Sequence, residues 1–459
     1  MKRVLNHLVL SVLSFLLVGI ISIRSQAEIT TPLQASHLIA SANHAASQKL
    51  LAQAMEPEDL VLQKEKDWKR DYERYFGSIF ANKLMSAPGI RVTLQQIATQ
   101  TGKKAAVIYM VPTPKQLELL LVTPAAQPTQ KHVSEIDRQT LLAAVNQFRA
   151  EVSDPRKVNT TSYLASAQQL YQWLIAPLET ELKAQKIEML LFCVGAGLRS
   201  VPFAALHDGQ QFLVEKYSMS LIPGFSLTDT DYTDIQKARV LAMGASQFKA
   251  LRPLPAVPTE LSAIVQRQGG TRFLDSQFTV DNLQIQHQQE LYQIIHLATH
   301  AEFLPGAASN SYLQFWDTEL PLDQLRKLQL NSPIVNLLVL SACKTALGDE
   351  QAEMGFAGLA VQAGVKSALG SLWYVSDIGT LGLMIEFYNH LRTTPIKAEV
   401  LRQAQIAMLE GHVQLQGRQL RGSRLRAEIR LPPGMTKLEQ LPLFHPYYWS
   451  AFTLIGSPW

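Results

Sequence analysis

The pattern of hydrophobic and polar positions divides the chain into three parts. A nearly uncharged apolar run from Leu8 to Ile23 comes first, polar helical periodicity follows to about residue 87, and from there short apolar runs alternate with amphipathic stretches. In the third part, AAVIYMV (105–111) and QLELLLVT (116–123) predict a β-hairpin turning at Pro112-Thr113-Pro114. Helices are predicted over 134–151 and 161–185, with Pro155 between them. IEMLLFCV (187–194) is a continuous apolar run, the signature of a strand buried on both faces of a parallel sheet. Beyond it the spacing predicts strands at 238–246, 271–275, 291–299, 311–317, 334–342 and 367–375. Helices are predicted between and after them at 258–268, 279–289, 322–328, 355–364, 377–391 and 395–411. Strands alternating with helices imply parallel crossovers and an α/β sheet covered on both faces. The final segment, 444–456, is strand-like again, and its aromatics are expected to pack the domain edge.

The second part, 28–87, reads as a short helical segment preceding the main domain at 88–459. It holds an alanine-rich helix over 31–55 and a second carrying Trp68, Tyr72, Tyr75 and Phe76 at helical spacing, a packing face. No repeat of solenoid period occurs. Pro88-Gly89 breaks a helix and marks the expected boundary. Between 413 and 440 the alternation lapses and Arg418, Arg421, Arg424, Arg426 and Arg430 gather, which predicts a solvated basic insertion loop.

Charge and the first residues add a compartment. Lys2 and Arg3 precede the apolar run, and Ser25-Gln26-Ala27 closes it with a small-x-small pattern, so residues 1–27 read as a signal peptide cut after Ala27. The mature protein is then extracytoplasmic, periplasmic or secreted; the other reading is an uncleaved anchor, the one way this chain would meet a membrane. Cleavage removes Lys2, Arg3 and Arg24, taking the net charge from +4 to +1, a balance that gives no grounds for a nucleic-acid partner. With 47% hydrophobic and 17% charged residues, the chain is globular rather than disordered. Its two cysteines, Cys193 and Cys343, admit either one disulfide or one buried thiol and one reactive thiol.

The reactive residue types stand at two predicted strand ends. His300 closes HLATH and Cys343 closes LSAC, 43 residues apart, room for one crossover between neighbouring parallel strands. Open parallel sheets place their chemistry at the carboxyl ends of strands. A thiol attacks a carbonyl as its thiolate, and a histidine within reach supplies both the base and the compensating charge. Gly195-x-Gly197 does not make a dinucleotide site, because Pro202 and the missing third glycine spoil the helix start. His296, four residues before His300 in a strand, is a structural histidine rather than a metal ligand. No metal or cofactor signature stands out.

HLATHA, LSACKTALGD, GFAGLAVQAGVKSALGSLWYVSD, EFYNHL, LRSVPFAALHDG and HPYYWSAFTLIG together resemble the CHAT family of bacterial caspase-like peptidases, from about Pro88 to the end. The resemblance implies a caspase-hemoglobinase fold, a three-layer sandwich with a mostly parallel sheet, and cysteine peptidase chemistry on a protein or peptide substrate. Cys343 would attack the scissile carbonyl, His300 would manage the protons, and backbone N–H groups of Ala301 and Cys343 would hold the oxyanion. Family members commonly have glycine where this chain has Ala301; a positive φ there would cost alanine about 1 kcal/mol. Lys344 stands where the family often has an acid or an amide. By analogy with arginine-directed relatives, Asp377 is a candidate for the specificity pocket, its competing role being to cap the helix it opens; Trp373 lines the pocket or belongs to the core. A flavodoxin-like strand order would put the His300 strand between those of Cys193 and Cys343, leaving Cys193 a buried small hydrophobe. The function implied is an exported cysteine endopeptidase. The alternative is a catalytically silent module that binds peptides or partners, with 28–87 as docking surface.

Overall fold

A computed structural model describes residues 56–80, 83–345 (the side chains of 342 and 343 apart), 347–416, 419–422, 429–432 and 441–459. The expected signal peptide and the helix at 31–55 lie outside these. Among the described residues no helix is long and apolar enough to cross a membrane.

Pro57–Trp459 form one compact unit. Its first element, α1 (Pro57–Phe76), turns Leu60, Val61, Glu65, Trp68, Tyr72 and Phe76 inward at helical spacing. Trp68 stacks on Tyr109 with ring centroids 5.7 Å apart. The buried Glu65 carboxylate accepts from the Tyr109 hydroxyl (2.7 Å) and from the N–H groups of Phe225 (2.9 Å) and Ser226 (2.7 Å). The aromatic stripe is therefore a packing face, and α1 is fastened to the sheet rather than standing before it. Pro88 and Gly89 lie in the first turn of α2 (Ala87–Thr101), behind the Ser86 cap. A first-turn proline suits a helix start, where its missing N–H costs nothing, so this pair opens a helix instead of parting two domains.

The sheet is built from β1 (Ala105–Pro112), β2 (Leu117–Val122), β3 (Thr129–Val133), β4 (Met189–Val194), β5 (Ser218–Leu221), β6 (Val240–Gly244), β7 (Gly270–Leu274), β8 (Ile294–Phe303), β9 (Tyr312–Gln314), β10 (Glu319–Pro321), β11 (Leu337–Thr345), β12 (Ser367–Ser371) and a last strand at Phe452–Gly456. Its order is β10-β9-β8-β11-β12, then the last strand, then β5-β4-β1-β2-β3, with β6 beside the first half of β8 and β7 outside β6. Most pairings are parallel, as expected, and the expected hairpin is the antiparallel pair β1–β2. The last strand runs antiparallel to β12 and parallel to β5, so it joins two groups of strands of opposite direction.

That position corrects the expectation for 444–456. The segment opens with a short helix (Pro446–Trp449) and continues into a central strand, with Trp449 and Trp459 fully buried, so its aromatics fill the core rather than the edge. The order also corrects the flavodoxin-like expectation. Between β4, which carries Cys193, and β11, which carries Cys343, lie β5, the last strand and β12; the His300 strand lies beyond β11. Cys193 is nonetheless free and buried, and burial pushes its thiol well above the ordinary range.

Helices cover the sheet: α3 (Arg138–Val152), α4 (Leu164–Leu174), α5 (Val257–Gln268), α6 (Val280–Gln289), α7 (Glu350–Ala357), α8 (Leu359–Ala363), α9 (Asp377–Leu391) and α10 (Lys397–Leu409). The helix expected over 161–185 breaks at Ala176–Leu178, where Pro177 removes a donor. The one expected over 355–364 is two, α7 and α8, split at Gly358, where an added Cβ would lie 2.5 Å from Phe76 Cε2. The basic loop is in its described part a small sheet, β13 (Gln414–Gln416), β14 (Gln419–Arg421) and β15 (Ile429–Arg430), with Leu415 and Leu420 buried between polar neighbours. Naming the central C-terminal strand β16 (Phe452–Gly456) completes the set.

His445 starts the turn before β16: its Nδ1 accepts from Tyr447 N at 3.1 Å, capping the short helix. Burial lowers its pKa to about 4. The unfolded chain takes up this proton near pH 6.5 and the fold only near 4, so between those values the unfolded state holds more protons and stability falls as pH falls. Denaturant titrations should show about 1–2 kcal/mol less stability at pH 5 than at pH 7 from this group, and His445→Asn, which keeps a capping side chain, should remove that share.

Candidate active site

β8 and β11 are parallel neighbours, and they run four and three residues, respectively, beyond the strands the apolar pattern predicts. The polar residues His300, Lys344 and Thr345 continue the ladder because a partner strand is there to pair with them. A register shift between Leu340 and Ala342 then sets Ala342 opposite His300 and Cys343 opposite Ala301. The backbones of the two expected catalytic residues are thus one step apart on hydrogen-bonded strands. β11 pairs with β12 at Leu338 and Val339 among the described residues, well before Cys343, and Thr345 N later donates to Leu372 O at 3.1 Å.

His300 is 9% exposed. Its Nε2 lies 2.8 Å from the Arg252 carbonyl oxygen. A carbonyl only accepts, so the ring carries its proton on Nε2 and Nδ1 is left as the basic nitrogen. The Phe248 ring meets the imidazole edge-on at 4.8 Å and fixes its plane. Both contacts come from the loop after β6, and neither is legible in sequence: one is a backbone oxygen and the other an unremarkable aromatic.

The same loop reaches Asp377. The Arg252 guanidinium lies 4.7 Å over the Tyr374 ring, whose hydroxyl donates to Asp377 Oδ1 at 2.7 Å. Burial raises the Asp377 pKa, Glu260 adds to the rise, and the Tyr374 hydroxyl and an Ala256 backbone contact oppose it. The cap of α9 is Ser376, whose side chain accepts from Gly379 N, so the capping role expected of Asp377 belongs to its neighbour. Asp377 instead lines a small cavity with Glu260, Ser341, Tyr374 and Thr380. Trp373 is 5% exposed and donates its Nε1–H to Tyr447 O at 3.1 Å, a core position.

Ala301 carries no positive φ; it is strand backbone, bridged to Cys343 on one side and Leu313 on the other. Alanine therefore bears no strain here. Lys344 is exposed and pairs in register with Glu302. His296 is fully buried between Glu260 Oε1 (2.9 Å from Nε2) and the Tyr388 hydroxyl (3.2 Å from Nδ1), a satisfied structural histidine. Among the described residues no group of three His, Cys, Asp or Glu side chains is arranged to hold a metal.

The protein is thus an α/β protein whose mostly parallel sheet carries a histidine and a cysteine on neighbouring strands. The family model of the CHAT domain matches residues 164–457, and the chain belongs to that family. A search of curated proteins finds no match. Among solved structures the chain is similar to separase in the separase–securin complex of Saccharomyces cerevisiae, at 11% identity and TM-score 0.47, over 82% of this chain and 31% of that one. It is also similar to the Arg-specific cysteine proteinase gingipain R, at 9% identity and TM-score 0.37, over 70% of this chain and 74% of that one. This chain therefore spans less than a third of the separase chain it matches.

Proposed function

We propose that this protein is an exported cysteine endopeptidase in which Cys343 is the nucleophile and His300 the base. The observation that carries the reading is the Arg252 carbonyl on His300 Nε2, which leaves Nδ1 as the free basic nitrogen on the strand beside the one that carries Cys343. Membership of a family with caspase-like peptidase fold supports it. So does the signal-like segment at residues 1–27 for export. In the reaction, the Cys343 thiolate adds to the scissile carbonyl, His300 returns the proton to the leaving amine, and water hydrolyses the acyl-enzyme. The silent-module reading loses its main structural motive, since Ala301 is unstrained and the inner face of α1 is spent on internal packing.

Asp377 and Glu260 put two carboxylates on a cavity of about 10 Å³, and a cleft opening onto it in the substrate complex would favour a basic residue at the cleaved bond. Glu260 already serves His296, so Asp377 is the acid to meet a substrate guanidinium. Asp377→Asn should lower kcat/KM for arginyl peptides about 10–100-fold, the worth of a charge-assisted hydrogen bond, and leave the rate of thiol alkylation by iodoacetamide unchanged. Equal losses on arginyl and on neutral peptides would remove Asp377 from specificity.

A further inference from the structure

A cavity of about 350 Å³ opens at the carboxyl ends of β1 and β4, where Val111, Pro112 and Gly195 form one wall. In sheet order it is separated from β11 by β5, β16 and β12. Trp68 of α1 and Met354 of α7 add apolar surface. Its size is that of a small-ligand site.

Of the four charged residues in its lining, Asp71, Arg138, Glu350 and Arg199, the first three have ion-pair partners. Glu350 is held by Arg138, and Asp71 lies 3.6 Å from Arg74. Arg199, which also lines the cavity, is 4% exposed and lies 5.5 Å over the Tyr72 ring. Its Nε and Nη1 have no hydrogen-bond partner, and no carboxylate is paired with it among the described residues. The neighbouring buried arginine, Arg149, shows the contrast: it is matched by Glu353 at 2.9 Å and by the Gly197 carbonyl at 2.7 Å. A guanidinium taken out of water with donors unmade is costly unless an anion completes it.

We propose that this cavity binds a carboxylate carrying an apolar body the size of one large amino acid. A single unmatched guanidinium suits one negative charge and offers a planar fork to a carboxylate. The carboxylates of Asp71 and Glu350 in the same lining work against a dianion such as phosphate. Trp68, Pro112 and Met354 take the apolar body. The carboxylate can belong to a free acid or to the last residue of a peptide. The site is independent of the reaction proposed for Cys343 and stands without it.

Calorimetric titration of the full chain with N-acetyl-L-phenylalanine, its amide, a tetrapeptide ending in free phenylalanine, and inorganic phosphate tests the proposal. The acid or the peptide should bind at least ~tenfold tighter than the amide, and which of the two binds identifies the source. Arg199→Gln should weaken that binding by a similar factor. So should Gln351→Trp, which fills the rim from an exposed position and leaves Arg199 in place if the first variant folds poorly. His300→Ala should bind as the wild type does. Acid and amide binding alike, no heat at millimolar concentration, phosphate binding in preference, or undiminished binding by Gln351→Trp would each overturn it.

Discussion

His300→Ala should reduce peptide cleavage by at least ~10²–10⁴-fold, and Cys343→Ala should abolish it, while both variants keep the wild-type thermal midpoint. The two losses differ because a cysteine without its base still forms some thiolate, whereas alanine offers no nucleophile. The accompanying stability result matters equally. His300 donates one hydrogen bond, to Arg252 O, and meets one ring, Phe248. A large loss of activity beside an unchanged thermal midpoint would be chemical rather than structural.

The largest effect on stability is expected at Glu353, on α7. Its carboxylate, wholly buried, accepts from Arg149 Nη2 (2.9 Å), from Gly348 N (3.0 Å) and from the Ser200 hydroxyl. Burial depresses the Arg149 pKa, and Glu353 opposes that fall. Glu353→Ala strands the Arg149 charge in the core and should cost about 3–5 kcal/mol, read from denaturant midpoints. Arg149→Met combined with Glu353→Leu removes both charges and should restore most of that loss, because a well-packed apolar pair of similar volume replaces a desolvated ion pair at little net cost. A double variant as unstable as the single one would mean that the Gly348 and Ser200 contacts, not the ion pair, hold this region. Because Gly348 lies in the loop between Cys343 and α7, the single variant should also lose activity beyond what its unfolded fraction explains.

The legible parts of this protein are those where one residue type has one use. Continuous apolar runs such as IEMLLFCV could only be buried strands, and β4 is where that run predicts it. His300 and Cys343 stood out because reactive side chains at the ends of apolar runs have few structural uses, and their strands are indeed neighbours. Sequence pattern failed where pairing decided the outcome. β8 and β11 extend through polar residues because each has a partner there, and period alone cannot see a partner. β13 and β14 are three residues each, too short for alternation to register. The central place of β16 depends on contacts more than 80 residues away in sequence, Ser367 with Gly456 being one. A carboxylate at a helix start also suits a cap, so sequence leaves Asp377 between cap and pocket, and it is Ser376 that caps. What freed Asp377 for the cavity was the Tyr374 hydroxyl, a contact set by tertiary packing. Arg252 carried no signal, since its backbone oxygen orients His300 and any residue would supply one.

The central claim is that His300 activates Cys343 for attack on a peptide carbonyl. It is tested most directly by reacting the protein with an arginyl acyloxymethyl ketone and locating the adduct by mass spectrometry. One adduct is expected, on Cys343 and not on the buried Cys193, formed at least ~10²-fold more slowly in His300→Ala. An intact thiol at Cys343 after prolonged reaction, or labelling at the same rate without His300, would contradict it.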